Sequence, residues 1–224
     1  LASPWALLIH ETNLYIAMAG SHQIWRMTLN EREIGPYAGN GREDIVDGLL
    51  LPRKPYEAGY SSFAQPSGLT TDGETIFVAD SEGSSIRAVP LNPTEKVATV
   101  VGTADLPRPR LFTFGDRDGS GREVLLQHPL GVVWHDGRVY IADTYNNKIK
   151  ALDPRTRSVT TIAGSGDPGS DDGVPGKFDE PAGDTATDCI GGMNGRIHGA
   201  TGTRGLIAGG LLFKEAGSSH GHQR

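Results

Sequence analysis

The chain has 224 residues, enough for one sizeable core, and 37% hydrophobic residues with 31 glycines and 14 prolines, a balance that suits a turn-rich all-β protein. A formal net charge of −6 argues against a general nucleic-acid binder, which carries a basic balance. One cysteine, Cys189, excludes an intramolecular disulfide framework and a Cys-x-x-Cys redox motif on this chain, and no apolar run approaches the ~20 residues of a membrane span.

In chain order, the first copy of a repeated unit runs through Ser3-Pro4-Trp5, Leu14-Tyr15-Ile16-Ala17, Gln23-Ile24-Trp25-Arg26 and Pro36-Tyr37-Ala38-Gly39. The second opens on Gln65-Pro66-Ser67-Gly68 and continues through Ile76-Phe77-Val78-Ala79-Asp80, Ser85-Ile86-Arg87-Ala88-Val89 and Val97-Ala98-Thr99-Val100-Val101-Gly102. The third opens on Gln127-His128-Pro129-Leu130-Gly131, with runs at Val132–Trp134, Val139–Asp143, Lys148–Leu152 and Val159–Gly164. Pro4, Pro66 and Pro129 lie 62 and 63 residues apart, and Ile24, Ile86 and Ile149 keep the same spacing. Four short β-branched or aromatic runs divided by turn residues predict a four-stranded antiparallel meander in each copy. Such a sheet cannot bury both faces alone, so the copies must stack.

A fourth copy starts at Phe178-Asp179-Glu180-Pro181-Ala182-Gly183 and stops: where its second strand is due stands Gly191-Gly192-Met193-Asn194-Gly195. The expected organisation is repeats over residues 1–183, at about 1–40, 63–102 and 126–164 with a fourth from 178, then a Gly-rich irregular tail over 184–224. A reading-frame or assembly fault after Gly183 accounts for that tail better than an unrelated segment does, because the break falls inside a strand. The pattern is already running at Leu1, which reads as a fragment or a processed product.

Val78-Ala79-Asp80 and, above all, Tyr140-Ile141-Ala142-Asp143-Thr144-Tyr145-Asn146-Asn147-Lys148-Ile149 resemble the signature of NHL repeats. The resemblance implies an all-β, partial NHL-type β-propeller: three four-stranded blades of a ring that commonly has six. Asp80, Asp143, Pro66 and Pro129 are its signature positions here. Tyr15–Trp25 and Leu126–Gly131 resemble more narrowly the NHL part of proteins that carry a thioredoxin-like domain ahead of the propeller.

In a meander the connections alternate between two edges. Tight turns at Asp72-Gly73, Asn92-Pro93, Asp136-Gly137 and Asp153-Pro154 fall on one face. The second-to-third strand loops and the long connections 40–62, 103–125 and 165–178 fall on the other, where function on a rigid scaffold is carried. Binding-face candidates are His22, Arg108, Arg110, Arg117, Tyr145, Asn146 and Asn147. Arginines among Phe112 and Phe114 suit stacking on bases, yet Asp105, Asp116, Asp118 and Glu123 nearly cancel their charge, so the expectation is a solvated loop anchored by the two phenylalanines. In the connections, Asp47-Gly48 and its counterparts are expected to form turns, with Phe63, Leu126 and Phe178 plugging the gaps between blades.

Asp80 and Asp143 are expected to accept backbone N–H bonds from their own loops; Met18 takes the place in the first copy, so no ring of equivalent acids exists for catalysis. Asp116-x-Asp118-x-Ser120-Gly121 has the opening spacing of a calcium loop, but Gln127 stands where a bidentate Glu belongs, leaving Asp116, Asp118 and Ser120 as weak metal candidates. His10, His22, His128 and His135 sit at different depths and form no set. No catalytic residue and no cofactor is therefore assigned. The expected function is a non-enzymatic interaction scaffold with a protein partner. The alternative is the propeller portion of a thiol-redox protein whose cysteines lie upstream, with RNA binding a distant third. Uncovered blade faces at the two ends of the arc are expected to drive self-association.

Overall fold

The computed structural model describes residues 1–104, 106 and 110–168, and beyond them the backbone of four short strands. Leu1–Gly166 is one compact unit. Its first blade is β1 (Pro4–His10), β2 (Asn13–Met18), β3 (Gln23–Thr28) and β4 (Ile34–Ala38), paired antiparallel in that order. The connection that follows contains β5 (Gly48–Leu49). The second blade is β6 (Pro66–Thr71), β7 (Thr75–Asp80), β8 (Ser85–Pro90) and β9 (Lys96–Val101). After β10 (Gly119–Ser120), the third is β11 (Pro129–His135), β12 (Arg138–Asp143), β13 (Lys148–Asp153) and β14 (Ser158–Ala163).

The meanders are those predicted, with one addition. β5 pairs with the outer strand β9, Gly48 opposite Val97, and β10 pairs with β14, Gly119 opposite Val159. The Asp-Gly pairs therefore lead into a fifth, edge strand, not into a simple turn. Phe63 and Leu126 do plug the gaps, each fully buried between sheets.

Repetition extends to the backbone. A register shift falls between Pro4 and Ala6, Pro66 and Gly68, and Pro129 and Gly131, and another just after Ile24, Ile86 and Ile149. Ser3, Gln65 and His128, each just before an opening proline, are left-handed at φ 50°, 58° and 47°. His22, Ser84 and Asn147, each closing a second-to-third strand loop, are left-handed at 54°, 44° and 52°. Few side chains tolerate that region without cost, so a polar residue recurs there while its identity varies.

The core lies between the sheets. Tyr15, Ala17, Ile24 and Tyr37 of the first blade meet Leu69, Ile76, Val78 and Val89 of the second. Phe77, Ala79 and Ile86 on the other side of the second blade meet Val132, Val139, Ile141 and Leu152 of the third. Phe77 stacks on Trp134 with ring centroids 5.6 Å apart. Polar ties cross the same gaps: the Tyr37 hydroxyl donates to Pro90 O at 2.8 Å, and the Arg157 Nε donates to Val100 O at 2.7 Å.

Beyond Gly166, β15 (Thr185–Ala186) pairs with β16 (Gly195–Arg196), and β17 (Ala200–Gly202) pairs with β18 (Leu211–Phe213), both antiparallel. The expected fourth copy from Phe178 to Gly183 lies outside the described residues, as does Cys189.

Gly102 has φ 131°, and a Cβ there would meet the Ser85 Cβ at 2.4 Å; Gly73 has φ 100° with nothing near. Gly102→Ala should therefore cost on the order of 3 kcal/mol, strain plus clash, and Gly73→Ala only about 1 kcal/mol. Urea unfolding of the two variants measures the difference.

Candidate functional site

The face that carries the second-to-third strand loops and the long connections is held by buried charge. β7 and β12 end on Asp80 and Asp143, and the neighbouring strands place Arg87 and Lys150 beside them; all four are fully buried. Arg87 Nη1 donates to Asp80 Oδ2 at 3.1 Å and to Ser62 O at 2.8 Å, while Nη2 donates to Asp47 Oδ1 at 3.0 Å and Val46 O at 2.8 Å. Lys150 Nζ donates to Asp116 Oδ1 and Asp118 Oδ1, both at 2.8 Å, and lies 3.8 Å from Asp143 Oδ2. Lys148 adds an ion pair to Asp116. The connection's acid then reaches the outer strand. Asp47 accepts from Thr99 N at 3.0 Å and Thr99 Oγ1 at 2.7 Å, and Asp118 accepts from Thr161 N at 2.6 Å and Thr161 Oγ1 at 3.0 Å. The second and third blades thus each close an acid–cation–acid clasp that pins the incoming connection. In the first blade Met18 and Trp25 occupy the equivalent places, so acid and cation are absent together.

Two sequence expectations need correction here. The backbone N–H bonds that Asp80 and Asp143 accept do not come from their own loops. Asp80 Oδ1 accepts from Ala64 N at 2.7 Å and Asp143 Oδ1 from Gln127 N at 2.8 Å, so each ties the loop to the segment that opens its blade. Nor do Asp116, Asp118 and Ser120 converge on a cation site. Lysine ammonium groups already take the two carboxylates, and Ser120 Oγ donates to Thr156 O at 3.1 Å. Among the described residues no three metal-capable side chains gather.

The electrostatics follow the geometry. Burial pushes Asp80 up to about 6 even with Arg87 and the Ala64 N–H opposing it, and burial also raises Asp143 against the Gln127 and Asn146 hydrogen bonds. For Asp116 and Asp118 partial burial acts upward, but hydrogen bonds from lysines outweigh it and hold both below the usual carboxylate range. Burial would lower Lys150; its two aspartates raise it instead.

The binding-face candidates divide. Tyr145 stands 60% exposed, its ring stacked on His128 with centroids 4.3 Å apart. His128 also lies 6.2 Å from the Phe114 ring and 3.2 Å from Glu82 Oε2. Phe112 and Phe114 are 75% and 47% exposed, so they do not anchor the loop as expected; they display it. Arg117 is exposed, its Nε donating to Glu123 O at 2.5 Å. Asn146 is buried, donating to Gly115 O and Asp143 Oδ2, both at 2.7 Å, and so is structural; Asn147 donates to Gly166 O at 3.1 Å and stays exposed. His22 Nδ1 accepts from Gln65 N at 3.3 Å, and Ser84 Oγ does the same for His128 N, so His22 is first a tie between blades. Arg108 and the Arg110 side chain lie outside the described residues. Sequence reasoning missed His128; its place before Pro129 beside the Tyr145 loop was the available signal. On the same face, the 2–3 loop of the first blade and its connection enclose a cleft of about 810 Å³.

Removing Arg87 leaves Asp80 buried without its partner. Arg87→Met should cost about 3–5 kcal/mol in denaturant unfolding, and adding Asp80→Met should restore part of the loss. The raised Asp80 makes folding take up a proton between about 4, its ordinary value, and 6, so its contribution falls as pH rises through that window. Asp80→Asn removes this dependence. Relative to the parent, the variant should gain about 1–3 kcal/mol from the bottom to the top of the window, read from unfolding midpoints.

No family model matches the chain. It is 44% identical over 214 residues to Protein SUPPRESSOR OF QUENCHING 1, chloroplastic, of Arabidopsis thaliana, a match covering 92% of this chain and 19% of that protein. It is 40% identical over 211 residues to NHL repeat-containing protein 2 of Homo sapiens, covering 82% of this chain and 28% of that one. The chain thus spans less than a third of the length of these curated relatives. A crystal structure of an auxiliary nutrient binding protein from Bacteroides ovatus ATCC 8483 superposes with a TM-score of 0.51 at 18% identity, over 69% of this chain and 36% of that one, a likeness of fold alone. Repeat spacing, blade topology and these relatives agree: the chain belongs to the NHL-repeat β-propeller family.

Proposed function

We propose that the chain is a non-enzymatic scaffold that binds a protein partner through its loop-rich face. The observation that carries this reading is the aromatic cluster there. Phe114, His128 and Tyr145 sit together, with Tyr145 and Phe114 exposed: Phe114 comes from the connection that Lys150 clamps to the blade, Tyr145 from the β12–β13 loop and His128 from the segment that opens β11. Exposed aromatic rings on a rigid base match the composition of binding hot spots. No nucleic-acid reading is favoured, because the lysines nearest the cluster are engaged by Asp116 and Asp118. No described helix is long and apolar enough to cross a membrane.

A second reading draws on the relatives' length. They extend well beyond the matched segment, which suits a propeller portion of a thioredoxin-like/NHL thiol-redox protein whose cysteines lie upstream. The two readings are compatible: the face would then dock the redox partner.

Affinity capture with the full chain tests the scaffold reading. Proteins held by the parent and by Arg138→Ala, on the opposite tight-turn face, should be lost with Phe114→Ala/Tyr145→Ala. Equal capture by all three would overturn it.

The flanks bear on assembly. Leu7 and Ile9 on β1, and Val133 on β11, face away from the cores and are exposed. Apolar surface of this kind favours association. The chain alone should therefore sediment as oligomers, and Leu7→Lys/Ile9→Lys should shift it toward monomer.

A further inference from the structure

The cleft beside the first blade differs in charge from the rest of the loop-rich face. One wall is the loop Gly20–Gln23, and the other is the connection from Asn40 to Tyr56. Arg42, Arg53 and Lys54 rim it, all exposed and none ion-paired among the described residues. Glu43 is the single acid in the lining, so the rim is net positive on a chain whose formal charge is −6. Beside the next connection, Lys148 and Lys150 of β13 are instead consumed by its Asp116 and Asp118.

The rim is built, not loose. Buried Asn40 accepts from Arg42 N at 2.9 Å through its side chain and from Tyr56 N at 2.9 Å through its carbonyl. Arg53 N donates to Glu57 Oε2 at 3.1 Å. Pro52 and Pro55 bracket the two cations and fix the local backbone. Gln23 closes the floor, donating to Gly39 O at 2.9 Å while Trp25 Nε1 holds its other end at 3.0 Å. Tyr56 is left-handed at φ 62° and 62% exposed. A bulky side chain in that region is strained.

We propose that this cleft takes an acidic, extended peptide segment of a protein partner, its carboxylates meeting Arg42, Arg53 and Lys54 and its backbone lying against Tyr56. The proposal rests on the scaffold reading and names the chemistry of the partner. Unpaired guanidinium groups match carboxylates two bonds at a time, and such a rim speeds encounter and fixes register.

Fluorescence anisotropy of the full chain with labelled oligo-glutamate tests it, with oligo-lysine and single-stranded oligouridine of equal length as comparison probes. Oligo-glutamate should bind saturably and more weakly as salt rises. Arg42→Glu/Arg53→Glu/Lys54→Glu should weaken it by on the order of 100-fold, with an unchanged circular dichroism spectrum, and Arg138→Glu on the opposite face should leave it alone. Tyr56→Gly should raise the Tm by releasing the strain while weakening the peptide several-fold, a pairing that a merely structural tyrosine would not give. Absence of saturable binding, equal loss in Arg138→Glu, or tighter binding of oligouridine to the cleft would overturn the proposal. Phe114→Ala/Tyr145→Ala should leave oligo-glutamate affinity intact. Partner capture that needs those aromatics without any peptide binding would sink the cleft and spare the scaffold; peptide binding without aromatic-dependent capture would do the opposite.

Discussion

A charge inside a stack of sheets must find its counter-charge within a few ångströms, because the cost of leaving it alone exceeds most single contributions to stability. Arg87 and Lys150 meet that requirement by drawing on two different parts of the chain. One acid comes from the adjacent strand and the rest from the connection preceding the blade, Asp47 for Arg87 and both Asp116 and Asp118 for Lys150. The result is more than neutralisation. Asp47 and Asp118 continue to Thr99 and Thr161, so the same carboxylate that satisfies the cation also docks a fifth strand on the outer edge. That docking covers the edge of the sheet, a place where unpaired N–H and C=O groups invite unwanted pairing. The first blade supports the logic from the other side. With Trp25 in place of the cation, Met18 stands in place of the acid, and no lone charge is buried at either position.

Much of the fold was legible because it is periodic. Strand runs, turn residues and the prolines that open the blades recur at near-constant spacing, and each copy corroborates the others. The clasp was not legible for the opposite reason. Asp118 is followed by Ser120-Gly121, which reads locally as the start of a calcium loop, while the ammonium group that claims it sits 32 residues further on, in β13. A pattern of alternating oxygens reports only that a cation is wanted, not whether a metal or a lysine supplies it. The fifth strands escaped for a related reason. Two residues of pairing carry no propensity signal, and Gly48 and Gly119 are poor strand formers held there by an aspartate at their side.

The site was legible by face and only partly by residue. Alternation of connections put the long segments on one side correctly, since that follows from antiparallel pairing alone. Asn146 and Asn147, polar and in a loop, looked available. The structure turns both amides to backbone carbonyls of the adjoining connections, Gly115 O and Gly166 O, which lie beside this loop on the same face and carry no local sequence signal. Phe112 and Phe114 erred the other way: apolar residues in a long loop were expected to anchor it, yet Val124 and Leu126 already fill the available space between the sheets.

These observations separate the two long connections into different kinds of surface. In the second, Lys148 and Lys150 are turned inward to hold the loop, and Phe112 and Phe114 reach solvent beside the exposed Arg117 and Arg122. In the first, Asp47 alone is turned inward toward Arg87, and the loop's own cations stay outside. The same structural device draws two acids of one connection onto two lysines and one acid of the other onto an arginine, and so leaves a different set of side chains on the face above each. The electrostatic character of the loop-rich face is in this sense shaped from beneath, by how the second and third blades neutralise the cations buried in their third strands.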